Sequence, residues 1–186
     1  GKRRKPAGHN HIVDLTAQGY AVPEGPADPA LVTRTVARVK EKAESLKASS
    51  FWNSALQLVL EALKDLPSFE TSDASLCPRL VCLGIGSVES SPSSACQLAL
   101  AWLLAEELGI PERSWADPQM HAADVAAGLE LGFSLEQGVA QLTGKRVLLF
   151  MPHCDRPLYE AVLGATGNIA KDPSPLAEVV LLGNSF

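Results

Sequence analysis

The chain has 186 residues, 46 % of them hydrophobic, and 16 basic against 21 acidic side chains give a net charge of −5. With a mean hydropathy of +0.08, that is enough apolar material for one ordinary domain with a sizeable core. No apolar run reaches 18 residues and no basic and aromatic surface is interleaved, so a membrane span and nucleic-acid binding are both excluded as expectations.

The chain opens on GKRRK, four cations in five residues. This reads as a solvated terminus, with a nuclear-targeting or acidic-partner patch as the sharper alternative. A soluble protein without a signal peptide before the fold is expected. Residues 1–27 are rich in glycine, proline and small polar residues and are expected to be loose.

Residues 28–66 read as an N-terminal helical arm. Asp28 is placed to cap the first helix and Pro29 suits its first turn. Val32, Val36, Val39, Ala43 and Leu46 then recur at helical spacing. A second helix carries Leu56, Val59, Leu60 and Leu63 on one stripe and stops at Pro67. The adjacent Phe51 and Trp52 read as core, with a protein-contact surface as the alternative.

An α/β core is expected over residues 67–186. RLVCLGIGS is a short apolar run ending in two glycines, which suits a strand buried on both faces. A helix follows, with Ser91 as cap, Pro92 in the first turn and Gly109 after its end. SWADP is a brief second strand, HAADVAAGLELG a second helix, and the stretch around SLEQGVAQL a short edge strand or turn. RVLLFMPH, PLYEAVLGAT and AEVVLLGNSF complete a strand, a helix and a last strand. Strand and helix alternate with crossovers long enough for right-handed parallel connections. The expected fold is a doubly wound, mostly parallel, Rossmann-like sheet. Such sheets bind ligands beyond the carboxyl ends of their strands, where strand order reverses.

The strand tips carry the polar residues: Gly84, Gly86 and Ser87 on the first, Asp117 on the second, His153, Cys154 and Asp155 on the next, and Asn184 on the last. GIGS resembles half of a dinucleotide fingerprint. The third glycine of that pattern is replaced by Glu89, a carboxylate that would repel a pyrophosphate. Asp117 lies 33 residues beyond Gly84, further than the usual ~20 between glycine motif and acid.

In MPHCDRP, Pro152 ends the strand. His153 and Cys154 should point to opposite sides and make a poor nucleophile–base couple. His153 is a candidate acid, base or axial ligand, and Asp155 a cap for the helix opening at Pro157. No H-x-x-x-H or C-x-x-C spacing supports a metal site. Cys77, Cys82, Cys96 and Cys154 show no disulfide framework, which points to a reducing compartment. Cys77-Pro78 matches the short haem-regulatory dipeptide, a pattern that also arises by chance.

VCLGIGS, SACQLALAWLL, ADP, FMPHCDRPLYEAVL and VLLGNSF, in this order, resemble the domain of the sensitivity-to-red-light-reduced (SRR-like) family over roughly residues 50–186. The resemblance implies a eukaryotic regulator linked to circadian rhythm and haem biosynthesis, in cytoplasm and nucleus. It carries over no established reaction and no catalytic residue. Family chains usually continue past the Gly-Asn-Ser-Phe segment, which implies a chain trimmed at its C-terminus.

Three functions follow as expectations. The first is a regulatory domain with a small-molecule ligand at the sheet rim, held by Gly84, Gly86, Ser87, Asp117, His153, Cys154 and Asn184; haem is a candidate through His153, Cys154 or Cys77. The second is an enzyme dependent on a nucleotide or S-adenosylmethionine. The third is a scaffold for regulatory protein partners.

Overall fold

Five short strands lie side by side in one all-parallel sheet. The computed structural model describes residues 12–15, 20, 23, 25–66, 79–136, 139–141, 146–165 and 178–183. The sheet is formed by β2 (Arg79–Leu83), β3 (Glu112–Ala116), β4 (Ser134–Leu135), β6 (Val147–Met151) and β7 (Val179–Gly183) in the order β4-β3-β2-β6-β7. The chain therefore builds outward from β2 to one edge, then returns to the other side of β2 and builds to the opposite edge. The reversal lies between β2 and β6. Their register pairs Cys82 with Phe150, while Leu83 of β2 pairs with Ala116 of β3, so the carboxyl ends of all three strands share one rim.

Alternation along the strands sorts the core into two layers. Leu80 and Cys82 of β2, Trp115 of β3, and Leu148 and Phe150 of β6 face one side. There they join α1 (Pro29–Lys47), α2 (Ser50–Lys64), α3 (Pro92–Glu107) and α4 (Ala122–Glu130). Val81, Leu83, Val147, Leu149 and Met151 face the other side, against Leu158, Tyr159 and Val162 of α5 (Arg156–Ala165). Opposite building directions with right-handed crossovers require helices on both faces, which makes the sheet doubly wound.

The helices begin where the caps stand. Asp28 accepts from the Ala30 N–H and Pro29 follows it; Ser91 accepts from the Ser94 N–H and Pro92 follows it. α5 opens one residue earlier than expected, at Arg156, with Asp155 Oδ1 accepting from the Leu158 N–H at 3.1 Å. α1 packs on α3 and α4, and Val32, Val36, Val39 and Ala43 join the same apolar cluster as the sheet. The arm is thus continuous with the core. α3 is buried around most of its circumference, as a helix covered on two sides must be.

Two local features differ from the sequence reading. Inside the segment expected to be loose, β1 (Ile12–Asp14) pairs antiparallel with β5 (Val139–Gln141), outside the main sheet. Phe51 and Trp52 divide: Trp52 is buried, whereas Phe51 is 54 % exposed. Among the described residues, no helix is long and apolar enough to cross a membrane.

Candidate functional site

Beyond the β2–β6 rim lies a cavity of about 480 Å³, within the range of small-ligand sites. Gly84, Gly86, Asp117, His153 and Cys154 all line it. The topological switch point thus brings together five of the seven expected ligand residues, with Asp155 beside them. Ser87 lies apart: its hydroxyl accepts from the Ser90 N–H and its carbonyl from the Ser91 N–H, and it shapes the start of α3 instead. Asn184 and Cys77 are outside the described residues.

The glycines are there because the turn is crowded and left-handed. Gly84 has φ +71° and Gly86 φ +82°, where side chains are strained. A Cβ on Gly84 would stand 2.5 Å from Cys154 Sγ, and one on Gly86 2.8 Å from Ser94 Oγ. The first glycine brings the β2 turn against the β6 tip; the second brings it against α3.

The turn is held by carboxylates from the neighbouring strand and helix. Asp117 Oδ2 accepts from the Gly86 N–H and Oδ1 from the Gln119 N–H, both at 2.7 Å. Asp124, fully buried, accepts from the Glu89 N–H at 2.7 Å and the His121 N–H at 2.8 Å. From outside, the Arg38 guanidinium donates to the carbonyls of Val88 and Glu89, and Arg34 pairs with the Glu89 carboxylate. In a dinucleotide site such amides point at phosphate. Here Gly86 and Glu89 already donate to carboxylates, so the half-fingerprint is a structural turn.

The β6 tip carries the remaining groups. Cys154 Sγ donates to the Leu83 carbonyl at 3.3 Å. Burial, reinforced by the Asp117 and Asp155 carboxylates, pushes its thiol up to about 12. Burial thus favours the protonated, hydrogen-bonded thiol over the thiolate that a nucleophile or metal ligand requires. His153 is exposed on the rim, and its imidazole has no hydrogen-bond partner among the described residues. Imidazole and thiol line the same cavity, and among the described residues they are not hydrogen-bonded to each other. Burial raises the Asp117 carboxyl, against the lowering effect of its two backbone donors.

Three polar lining residues escaped the sequence reading. Tyr20 comes from the N-terminal segment, its N–H bonded to the Leu15 carbonyl; burial, then Cys154, Asp117 and Asp155, raises its phenol. Gln119 follows Asp117 in the β3–α4 turn. Ser94, one turn into α3, has a hydroxyl without a hydrogen-bond partner among the described residues. Its only sequence signal was its place in the serine-rich start of the helix; an aromatic among glycines and prolines was the only one for Tyr20. Among the described residues there is no group of His, Cys, Asp and Glu able to hold a metal ion.

The model of the SRR1 domain matches residues 36–186. An SRR1-like protein from Mus musculus is 30 % identical over 195 residues, covering 88 % of this chain and 76 % of the relative. The protein named SENSITIVITY TO RED LIGHT REDUCED 1 from Arabidopsis thaliana is 27 % identical over 198 residues, covering all of this chain and 68 % of the relative. No solved structure matches.

Proposed function

The chain belongs to the SRR1 domain family, and from that premise we propose that it is a regulatory domain of light response and circadian rhythm that senses a small ligand at the rim of its sheet. The regulatory part is supported by the Arabidopsis relative, whose name records reduced sensitivity to red light. The link to haem biosynthesis extends the family resemblance to this chain. A cytoplasmic and nuclear location is supported by the basic Lys2–Lys5 stretch and by three free thiols among the described residues.

One observation carries the ligand reading: Gly84, Gly86, Asp117, His153 and Cys154, from three separate strand ends, meet in one cavity at the switch point. Haem fits this cavity badly. Among the described residues no lysine or arginine lines the cavity to pair with its propionates, and Cys154 donates to the Leu83 carbonyl, which leaves His153 as the axial candidate there. A phosphate-dependent enzyme is disfavoured by the same lining and by the turn amides already bonded to Asp117 and Asp124.

A thermal-shift panel of haem, NAD, ATP, S-adenosylmethionine and small metabolites tests the site. Ligand at about 100 times its Kd adds roughly 2.7 kcal/mol, or about 5–10 °C for a chain of this size. The shift should vanish in His153→Ala, a rim substitution that costs little packing. A shift retained in that variant, with the ligand bound elsewhere, would sink the reading.

A scaffold reading has its own support. Phe51 and Leu58, two turns apart on α2, are 54 % and 66 % exposed. Loss of a co-purifying regulatory partner in Phe51→Ser/Leu58→Ser, with none in His153→Ala, would favour it.

A further inference from the structure

We infer that the ligand of the switch-point cavity is a small organic cation, a protonated amine or a sulfonium, which also forms a hydrogen bond with Ser94. The inference rests on the reading of this cavity as a ligand site and adds the chemistry of what it takes.

The charge distribution points that way. Among the described residues, Asp117 and Asp155 line the cavity and no lysine or arginine does. Arg34 and Arg38, the cations nearest the glycine turn in the bonding pattern, are turned to Glu89 and to the Val88 and Glu89 carbonyls. A concave site lined by one sign of charge focuses that field on whatever enters. Groups that share the cavity register it: burial first, then the carboxylates of Asp117 and Asp155, raises the Cys154 thiol, and the same carboxylates add to burial and Cys154 in raising the Tyr20 phenol. Among the described lining residues an anion entering here would meet two carboxylates, faced by the His153 imidazole alone.

A second, independent observation marks the cavity as built to receive a polar group. Ser94 is only 6 % exposed and lines the cavity, yet its hydroxyl has no hydrogen-bond partner among the described residues. The residue is buried but its oxygen is reached through the cavity, and a hydroxyl left open in this way is available to a ligand. Gly86 keeps that hydroxyl uncovered, since a Cβ at this position would stand 2.8 Å from Ser94 Oγ. Among the described residues only Oδ1 of the Asp155 carboxylate accepts, from the Leu158 N–H, which leaves Oδ2 as an acceptor. Ser94 and Asp155 both line the cavity and thus offer a hydroxyl and a carboxylate oxygen to a guest.

Matched probes decide the matter. S-Adenosylmethionine and S-adenosylhomocysteine differ by one methyl and one positive charge; spermidine and agmatine supply amine and guanidine cations, and NAD and ATP supply anions. Titration calorimetry of the intact chain should show at least one cation binding, with S-adenosylmethionine ahead of S-adenosylhomocysteine if the cation is a sulfonium. Asp155→Asn, which keeps the helix cap, should weaken cation binding about tenfold. Ser94→Ala should weaken it by a smaller factor without loss of fold, as circular dichroism will show. Tighter binding of NAD, ATP or S-adenosylhomocysteine than of any cation, abolished by His153→Ala, overturns the charge inference and leaves the site reading intact. No binding by any probe, or binding unchanged in Asp155→Asn, Ser94→Ala and His153→Ala alike, overturns both.

Discussion

Replacing Gly84 with alanine tests whether close contact between the β2 turn and the β6 tip builds the cavity. Two separate penalties meet there. The backbone sits at φ +71°, where an L side chain costs about 1–2 kcal/mol. The new methyl would also lie 2.5 Å from Cys154 Sγ, an overlap of the kind that costs about 1–3 kcal/mol in a packed site. Gly84→Ala should therefore lose about 2–5 kcal/mol. Gly109 isolates the first penalty, because its φ is +62° but a Cβ there meets nothing within 4 Å; Gly109→Ala should lose only about 1–2 kcal/mol. Cys154→Ala removes the sulfur, so the double variant with Gly84→Ala should be more stable than the two single losses predict, by about 1–2 kcal/mol of coupling. Guanidinium titrations followed by the fluorescence of Trp52, Trp102 and Trp115 measure all four proteins. Strict additivity, or equal losses for the Gly84 and Gly109 variants, would refute the argument that sulfur and glycine are fitted to each other.

Asp124→Ala strands the Glu89 and His121 amides in the interior and should cost about 2–4 kcal/mol; a loss under 1 kcal/mol by the same titration would mean the turn holds itself. Tyr159→Phe removes the buried hydroxyl that donates to the Met151 carbonyl at 2.5 Å and should cost about 1–2 kcal/mol, read as a lowered denaturant midpoint at unchanged m. At pH 8 the protonated Cys154 thiol should react with iodoacetamide at least about a hundredfold more slowly than in the urea-unfolded chain, as peptide mass spectrometry will show. Because the folded state holds this proton more tightly than the unfolded state, the stability it contributes is present below about pH 9 and lost as pH rises toward 12. Cys154→Ala should flatten the fall in midpoint across that window.

Read without coordinates, the chain already specified its alternation of elements and most of its helix starts. A cap is written within three residues: Asp28, Ser91 and Asp155 accept from N–H groups two or three positions on, and a proline just inside the helix confirms the first two. Strand character is equally local, since Leu80 to Leu83 and Val147 to Met151 are buried throughout and read as unbroken apolar runs. The alternation also implied a switch point, and hence a rim on which distant strand tips meet. Only the tertiary structure decided which groups face that cavity and which are used up in building it. Asp117 and Asp124 reach amides 31 and 35 positions away, which takes from the glycine turn the role its spacing suggested. Tyr20 and Ser94 enter from a segment without clear periodicity and from a helix that is apolar nearly all round. Periodicity and capping are set by neighbours along the chain; pairing between remote strands, and the direction a loop amide then faces, depend on the whole fold's packing.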